Sequence, residues 1–242
     1  MRTVWIIAQR EYKRYFSTPA AYIVAFMFLL IIGFIFYVNL QFSLANQVPP
    51  GVDSVLGPLV FLLVFTTPAI TMHLLAEEQR LGTIELLLTA PVKDWELVTG
   101  KWLGGLLFLL TLIAITFIYP LVLNQLVSPG IDQGPLLTGY LGLVLVSAAL
   151  VAVGVTISSF FSNQIAAFFA TFAIMILLWI IGAPAQSAPA GAELLSYLDF
   201  RSHFNPTFLV GVIDIRDVVY YLSLTALSLF IGSVFVEARR WR

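Results

Sequence analysis

The side chains best suited to chemistry are few and close together. His73, Glu77, Glu78, Arg80 and Glu85 fall in one short segment, and Gly100-Lys101 follows soon after. A Walker A loop needs Gly-x-x-x-x-Gly-Lys-Ser/Thr, because consecutive backbone N–H groups must cradle phosphates. Around Gly100-Lys101 the first glycine is replaced by Trp95 and the hydroxyl residue by Trp102, so any nucleotide chemistry is supplied in trans. A zinc hydrolase on a helix needs His-Glu-x-x-His. The chain has two histidines, His73 and His203, far apart in sequence, and the His73–Glu77 spacing reads as a helix-end contact. Glu77-Glu78 has the paired glutamates of prenyl-protein-type membrane proteases, but Gly82 stands where their arginine belongs. With no cysteine there is no disulfide, thiolate site or cysteine nucleophile. The expectation is no catalytic residue, no metal and no cofactor held by this chain.

The elements that must position these residues are membrane helices. The chain is 60% hydrophobic and 10% charged, with a mean hydropathy of +0.97, against about 25% charge in soluble domains. A net charge of −1 gives no footprint for nucleic acid. Residues 15–52, 54–76, 102–131, 133–192 and 218–236 contain no Asp, Glu, Lys or Arg. A helix rising about 1.5 Å per residue crosses about 30 Å of hydrocarbon in roughly 20 residues. The expected fold is all-α: one polytopic membrane domain over 1–242 with six spans, near 20–40, 56–76, 103–125, 138–160, 165–183 and 218–236. Ser162-Asn163-Gln164 splits the fourth from the fifth. No cleavable signal peptide is evident, since the first apolar run is too long for one.

Charge orients these spans. With the N-terminus inside, the inner segments 1–19, 77–102, 161–164 and 237–242 hold ten of the 12 Lys and Arg residues, leaving Arg201 and Arg216 outside. That bias puts both termini in the cytoplasm. No expected span holds a charge, which argues against a coupled ion carrier, since such carriers keep an ionisable group at mid-membrane. The hydroxyls within the spans, among them Thr71, Thr156 and Ser158, are expected to bond their own or a neighbouring helix. Pro58, Pro68 and Pro120 should kink theirs. Gly100, Gly104 and Gly105 allow close helix approach.

Three further segments are candidates. In 1–19, Trp5, Ala8, Tyr12 and Tyr15 share a helical face while Arg10, Lys13 and Arg14 lie largely off it, as in an amphipathic helix on the inner membrane surface. It is either a basic anchor or a lever touching a cytoplasmic partner. After span 2, a charged stretch gives way to the apolar run Ile84 to Leu88, closed by Pro91. Too short to span, that run is buried either in the membrane surface or in a groove on a soluble subunit. In the long outer loop 184–217, Tyr197, Phe200, Phe204 and Phe208 recur at helical spacing, as a packing plug or a gate on short interfacial helices.

The run Glu77-Glu78-Gln79-Arg80-x-Gly82-Thr83-Ile84-Glu85-x-Leu87-Leu88-x-x-Pro91-Val92, with Asp94-Trp95-Glu96 and Gly100-Lys101, resembles the type-2 permease subunits of ABC transporters. The likeness is greatest to the gliding-motility (GldF-like) and nitrous-oxide-reductase-maturation branches, also at Gly211 to Tyr221, and covers essentially the whole chain. It implies that Glu77 to Thr89 form a coupling helix docked in a cytoplasmic ATPase subunit. Glu77, Glu78, Arg80, Gly82, Thr83, Glu85, Leu87 and Leu88 would then be docking residues, and Arg2 to Phe16 the interface helix beside them. The turn 162–164 would make a minor second contact. ATP and Mg would sit on two copies of that partner, and a second permease chain, identical or related, would complete the assembly in the cell membrane. The implied function is ATP-driven movement, more export than import, of an unspecified cargo. Two alternatives are a non-transporting mechanical complex acting on an outer-face protein and, least supported by the residues, a membrane-embedded hydrolase.

Overall fold

The computed structural model describes residues 2–82, 92–183 and 192–240. They form helices α1 (Arg2–Ser17), α2 (Pro19–Asn46), α3 (Asp53–Thr71), α4 (Ala76–Arg80), α5 (Asp94–Ile115), α6 (Ile118–Leu126), α7 (Gln133–Phe160), α8 (Gln164–Ile180), α9 (Ala192–Leu198) and α10 (Ile215–Arg240), with 3-10 turns at Phe200–His203 and Phe208–Val210.

Local sequence sets the boundaries. Thr18 and Pro19 separate α1 from α2, with Pro19 at the first helical position, where its missing N–H costs nothing. The third apolar stretch breaks at Thr116-Phe117, because Pro120 has no N–H to offer the Thr116 carbonyl. Asn163 caps α8 by accepting from the Ile165 and Ala166 amides, so the expected turn at 162–164 is where α7 ends and α8 begins. Asp132 starts α7 in the same way, accepting from Gly134 N–H.

Among the described residues, five helical stretches are long and apolar enough to cross a membrane: Pro19–Asn46, Asp53–Arg80, Asp94–Leu126, Gln133–Phe160 and Ile215–Ala238. The remaining expected span is α8, whose 17 residues reach about 26 Å, short of a 30 Å hydrocarbon core. The α7 helix is the hub and packs on α3, α5, α8, α10 and the 208–210 turn. Its small residues allow this: a Cβ added at Gly154 would collide with Thr71 on α3. The outlying helices α2 and α10 leave most of their apolar side chains exposed, as suits helices solvated by lipid.

The hydroxyls within the apolar stretches largely turn to local backbone. Thr66, Thr71, Ser159, Ser223 and Thr225 donate to carbonyls three or four residues earlier. Thr156 crosses to the Ser228 carbonyl on α10. Ser158 does more, as described next.

Candidate functional site

At the basic end of the bundle, three segments distant in sequence converge on one ammonium. Lys101 lies two turns into α5 with no solvent exposure. Its Nζ donates to Glu78 Oε1 at 2.7 Å and Glu11 Oε1 at 3.1 Å. Glu11 belongs to α1 and Glu78 to α4, and both side chains are nearly inaccessible. Arg10 reaches Glu11 at 3.0 Å and Glu78 at 3.7 Å; Arg14 pairs with Glu77 and lies 3.9 Å from Glu11. Three carboxylates thus meet three cations, and the cluster is neutral overall. Burial alone would push the Glu11 carboxyl up. The Lys101 charge and the hydrogen bonds from Arg10 and Lys101 outweigh it and leave the carboxyl below its ordinary value.

Close backbone approach makes the cluster possible. A Cβ at Gly100 would lie 2.7 Å from Ile7 Cβ, and one at Gly104 2.7 Å from Glu11 Cβ and 3.0 Å from the Ala8 carbonyl. Gly100 and Gly104 therefore receive α1, while Gly105 faces Leu74, Val151 on α7 and Tyr15. On α1 the buried face is Ile7, Ala8, Glu11 and Tyr15. Trp5, expected on that face, is half exposed, and Lys13 is exposed. Burial pushes the Tyr15 phenol well up, so it stays a donor, to the Ile70 carbonyl at 2.9 Å.

The chain leaves the bundle through a built break. After Thr71 the helix opens over residues 72–75 before α4. Ser158 Oγ on α7 accepts from the Leu75 and Ala76 amides and donates to the Met72 carbonyl at 3.2 Å. Gln79 donates to the Ser159 carbonyl at 2.6 Å. Beyond this anchor Arg80, Leu81 and Gly82 are exposed, Leu81 at 60%, and Gly82 takes φ +69°, a left-handed conformation suited to glycine. The chain re-enters at Val92 and Lys93, whose amide donates to Glu96 in the first turn of α5. Beside this point a groove of about 280 Å³ opens between α1 and α5, lined by Ile6, Ile7, Val92 and Leu97 with Arg2 and Arg10.

Of the residues expected to dock a partner, Glu78 is buried against Lys101 and Glu77 is partly buried against Arg14, because α5 and α1 respectively supply them with counter-charges. Arg80 and Gly82 face outward. Thr83, Glu85, Leu87 and Leu88 lie outside the described residues. Sequence reading missed Glu11 and the site role of Lys101: Glu11 shares a helical face with Ala8 and Tyr15, a polar residue on an apolar stripe, and Lys101 was weighed only against a Walker A loop, within the family resemblance and as an inner-segment charge.

At the opposite end, Phe200, Phe204 and Phe208 are fully buried while Tyr197 is 52% exposed. They do not share one continuous helix, since α9 ends at Leu198 and Asn205-Pro206 separates the two 3-10 turns. The three phenylalanines close the end of the bundle. Phe204 and Phe208 press on α7 where Gly142 leaves room, and Phe200 lies edge-on to Trp179.

This arrangement has a known setting. The family described as ABC-2 family transporter protein matches residues 5–210. The chain belongs to the ABC-2 transporter family. It is a type-2 permease, and its apolar helices make it a multi-pass membrane protein. The match takes in α1, Glu78, Lys101 and the aromatic closure, and ends before α10. None of the curated proteins matches this ABC-2 permease.

Proposed function

We propose that the chain is the membrane-spanning subunit of an ATP-driven transporter. A separate cytoplasmic ATPase subunit would dock where Arg80-Leu81-Gly82 leave the bundle, carrying ATP and Mg itself. The observation that carries this reading is the contrast within six residues: Glu77 and Glu78 are held from inside by Arg14 and Lys101, while Arg80, Leu81 and Gly82 stand free of the bundle. An exposed leucine at the head of a short apolar segment needs a surface to cover it. By resemblance that segment belongs to the docking element, Glu77 to Thr89.

The ten-to-two bias of basic residues puts the Lys101 end in the cytoplasm and the aromatic closure outside. In this reading α8 completes six spans, by tilt or by local thinning of the bilayer. ABC ATPases act as nucleotide-sandwich pairs, so two copies would work on two permease chains. The resemblance at Gly211 to Tyr221 favours the gliding-motility and nitrous-oxide-reductase-maturation branch and export, and the absence of mid-span charge favours ATP-driven movement of an apolar or amphiphilic cargo over ion-coupled transport.

Leu81→Asp, Glu85→Lys and Leu87→Asp test the docking surface. Each should insert normally in the membrane yet fail to retain the ATPase through gentle detergent extraction, with coupled hydrolysis falling to background. Full coupled activity in all three would overturn the assignment.

A further inference from the structure

At the end opposite Lys101, His203 has both ring nitrogens engaged. Nδ1 lies 2.8 Å from Asp217 Oδ1 and Nε2 lies 2.9 Å from the Tyr197 carbonyl oxygen. A carbonyl only accepts, so Nε2 must carry a hydrogen. A neutral imidazole has one N–H, which leaves the Nδ1 lone pair facing a carboxylate oxygen that holds only lone pairs. The 2.8 Å contact therefore needs one more proton, on Nδ1 as an imidazolium or on Oδ1 as a carboxylic acid. Both arrangements contain the same protons and carry no net charge.

The surroundings hold that proton in place. Asp217 Oδ2 is buried without a hydrogen-bond partner among the described residues, so a bare carboxylate there would be costly to keep beside a neutral ring. The ring stacks on Tyr220 with centroids 3.9 Å apart and meets the edges of Tyr197 and Tyr221. The other charged groups nearby are buried Asp199, which lies 3.8 Å from Arg201, Asp214 just before α10, and Arg216 in its first turn. Arg201 is drawn aside over Trp179.

We propose that His203 and Asp217 form a proton-binding site that latches the segment 192–210 onto the start of α10. Two further bonds lie on the same seam: Tyr221 donates to the Phe200 carbonyl at 2.6 Å and Tyr220 to the Leu198 carbonyl at 3.0 Å. The segment carries Phe200, Phe204 and Phe208, so the latch holds the aromatic closure. With the proton bound the closure is fastened. When the proton leaves, lone pair faces lone pair and the seam loosens, so the sign is closed in acid and released as pH rises. This inference rests on the fold and is independent of the docking surface.

The test uses the full chain in lipid nanodiscs with ¹⁵N-labelled histidine. The chain has two histidines, so a His203→Gln variant assigns the signals. Between about pH 5 and about pH 8, loss of the shared proton, read from the His203 ¹⁵N shifts, should coincide with a tenfold or greater rise in hydrogen exchange over 193–204, corrected for intrinsic rates. In the Asp217→Asn variant the side-chain amide donates to Nδ1 of a neutral ring, so protection should persist and become independent of pH. Full protection of 193–204 across that whole range in the native chain would overturn the proposal. So would an Asp217→Asn variant that keeps the native pH dependence.

Discussion

Lys101 Nζ lies 2.7 Å from Glu78 Oε1 inside the protein, with no solvent exposure at the lysine. The same ammonium holds Glu11, 90 residues away in sequence. One cation thus ties the first helix and the start of the 76–92 segment to α5, so none of the three can shift alone without uncovering a buried charge.

Removing that cation should be far worse than removing the whole cluster. Lys101→Met leaves Glu11 and Glu78 buried without their main partner, a change of about 3–5 kcal/mol for a broken buried pair. The triple variant Lys101→Met, Glu11→Gln, Glu78→Gln should recover much of that loss. Thermal unfolding in one detergent, comparing single and triple variants, checks it. Equal losses would mean the ion pairs are incidental to packing.

Acid should loosen α1 through Glu11. Its carboxyl lies below the ordinary value, a balance in which burial opposes and Lys101 and Arg10 prevail. A depressed carboxylate contributes stability above its unfolded pKa of about 4.3 and loses that contribution as pH falls through the folded value. Protease sensitivity of residues 2–17 should therefore rise below about pH 4, and Glu11→Gln should flatten that response while lowering protection at neutral pH.

Neighbouring glycines on α5 should differ sharply. A Cβ at Gly104 would sit 2.7 Å from Glu11 Cβ, whereas at Gly105 the nearest atoms are 3.4 Å away, ordinary contact. Gly104→Ala should cost about 1–3 kcal/mol by forcing α1 outward and should weaken ATPase retention. Gly105→Ala should be nearly silent in both.

Much of this architecture was readable from patterning. Charge-free stretches located α2, α3, α5, α7 and α10, and the turn at Asn163 and the break around Pro120 followed from polar and proline signals. The site was less legible. Lys101 looked like one more positive charge on an inner loop, because a sequence does not show that α5 begins at Asp94 and carries the lysine two turns inward. Glu11 was hidden because an amphipathic reading ranks apolar residues, and its partner is remote. The aromatic spacing at 197–208 suggested one helical face; Pro206 and the pull of the Gly142 niche gave two short turns, with Tyr197 half exposed at the rim against His203 and Tyr220.

Ser158 should matter more than a mid-helix serine ordinarily does. Its hydroxyl serves the Leu75 and Ala76 amides and the Met72 carbonyl at the break in the second apolar stretch. Ser158→Ala leaves those groups unserved, at about 1–3 kcal/mol, and should raise hydrogen exchange at residues 72–80 without changing that of α2. Uniform exchange across both regions would refute a local role.

The central claim is tested most directly by a photo-crosslinker placed at Leu81 in native membranes, followed by gentle extraction and mass spectrometry. The account predicts a stoichiometric ABC ATPase joined at that position, and no such product from a probe at Tyr197. Recovery of the chain uncrosslinked and without an ATPase, from membranes in which other ABC complexes stay intact, would contradict it.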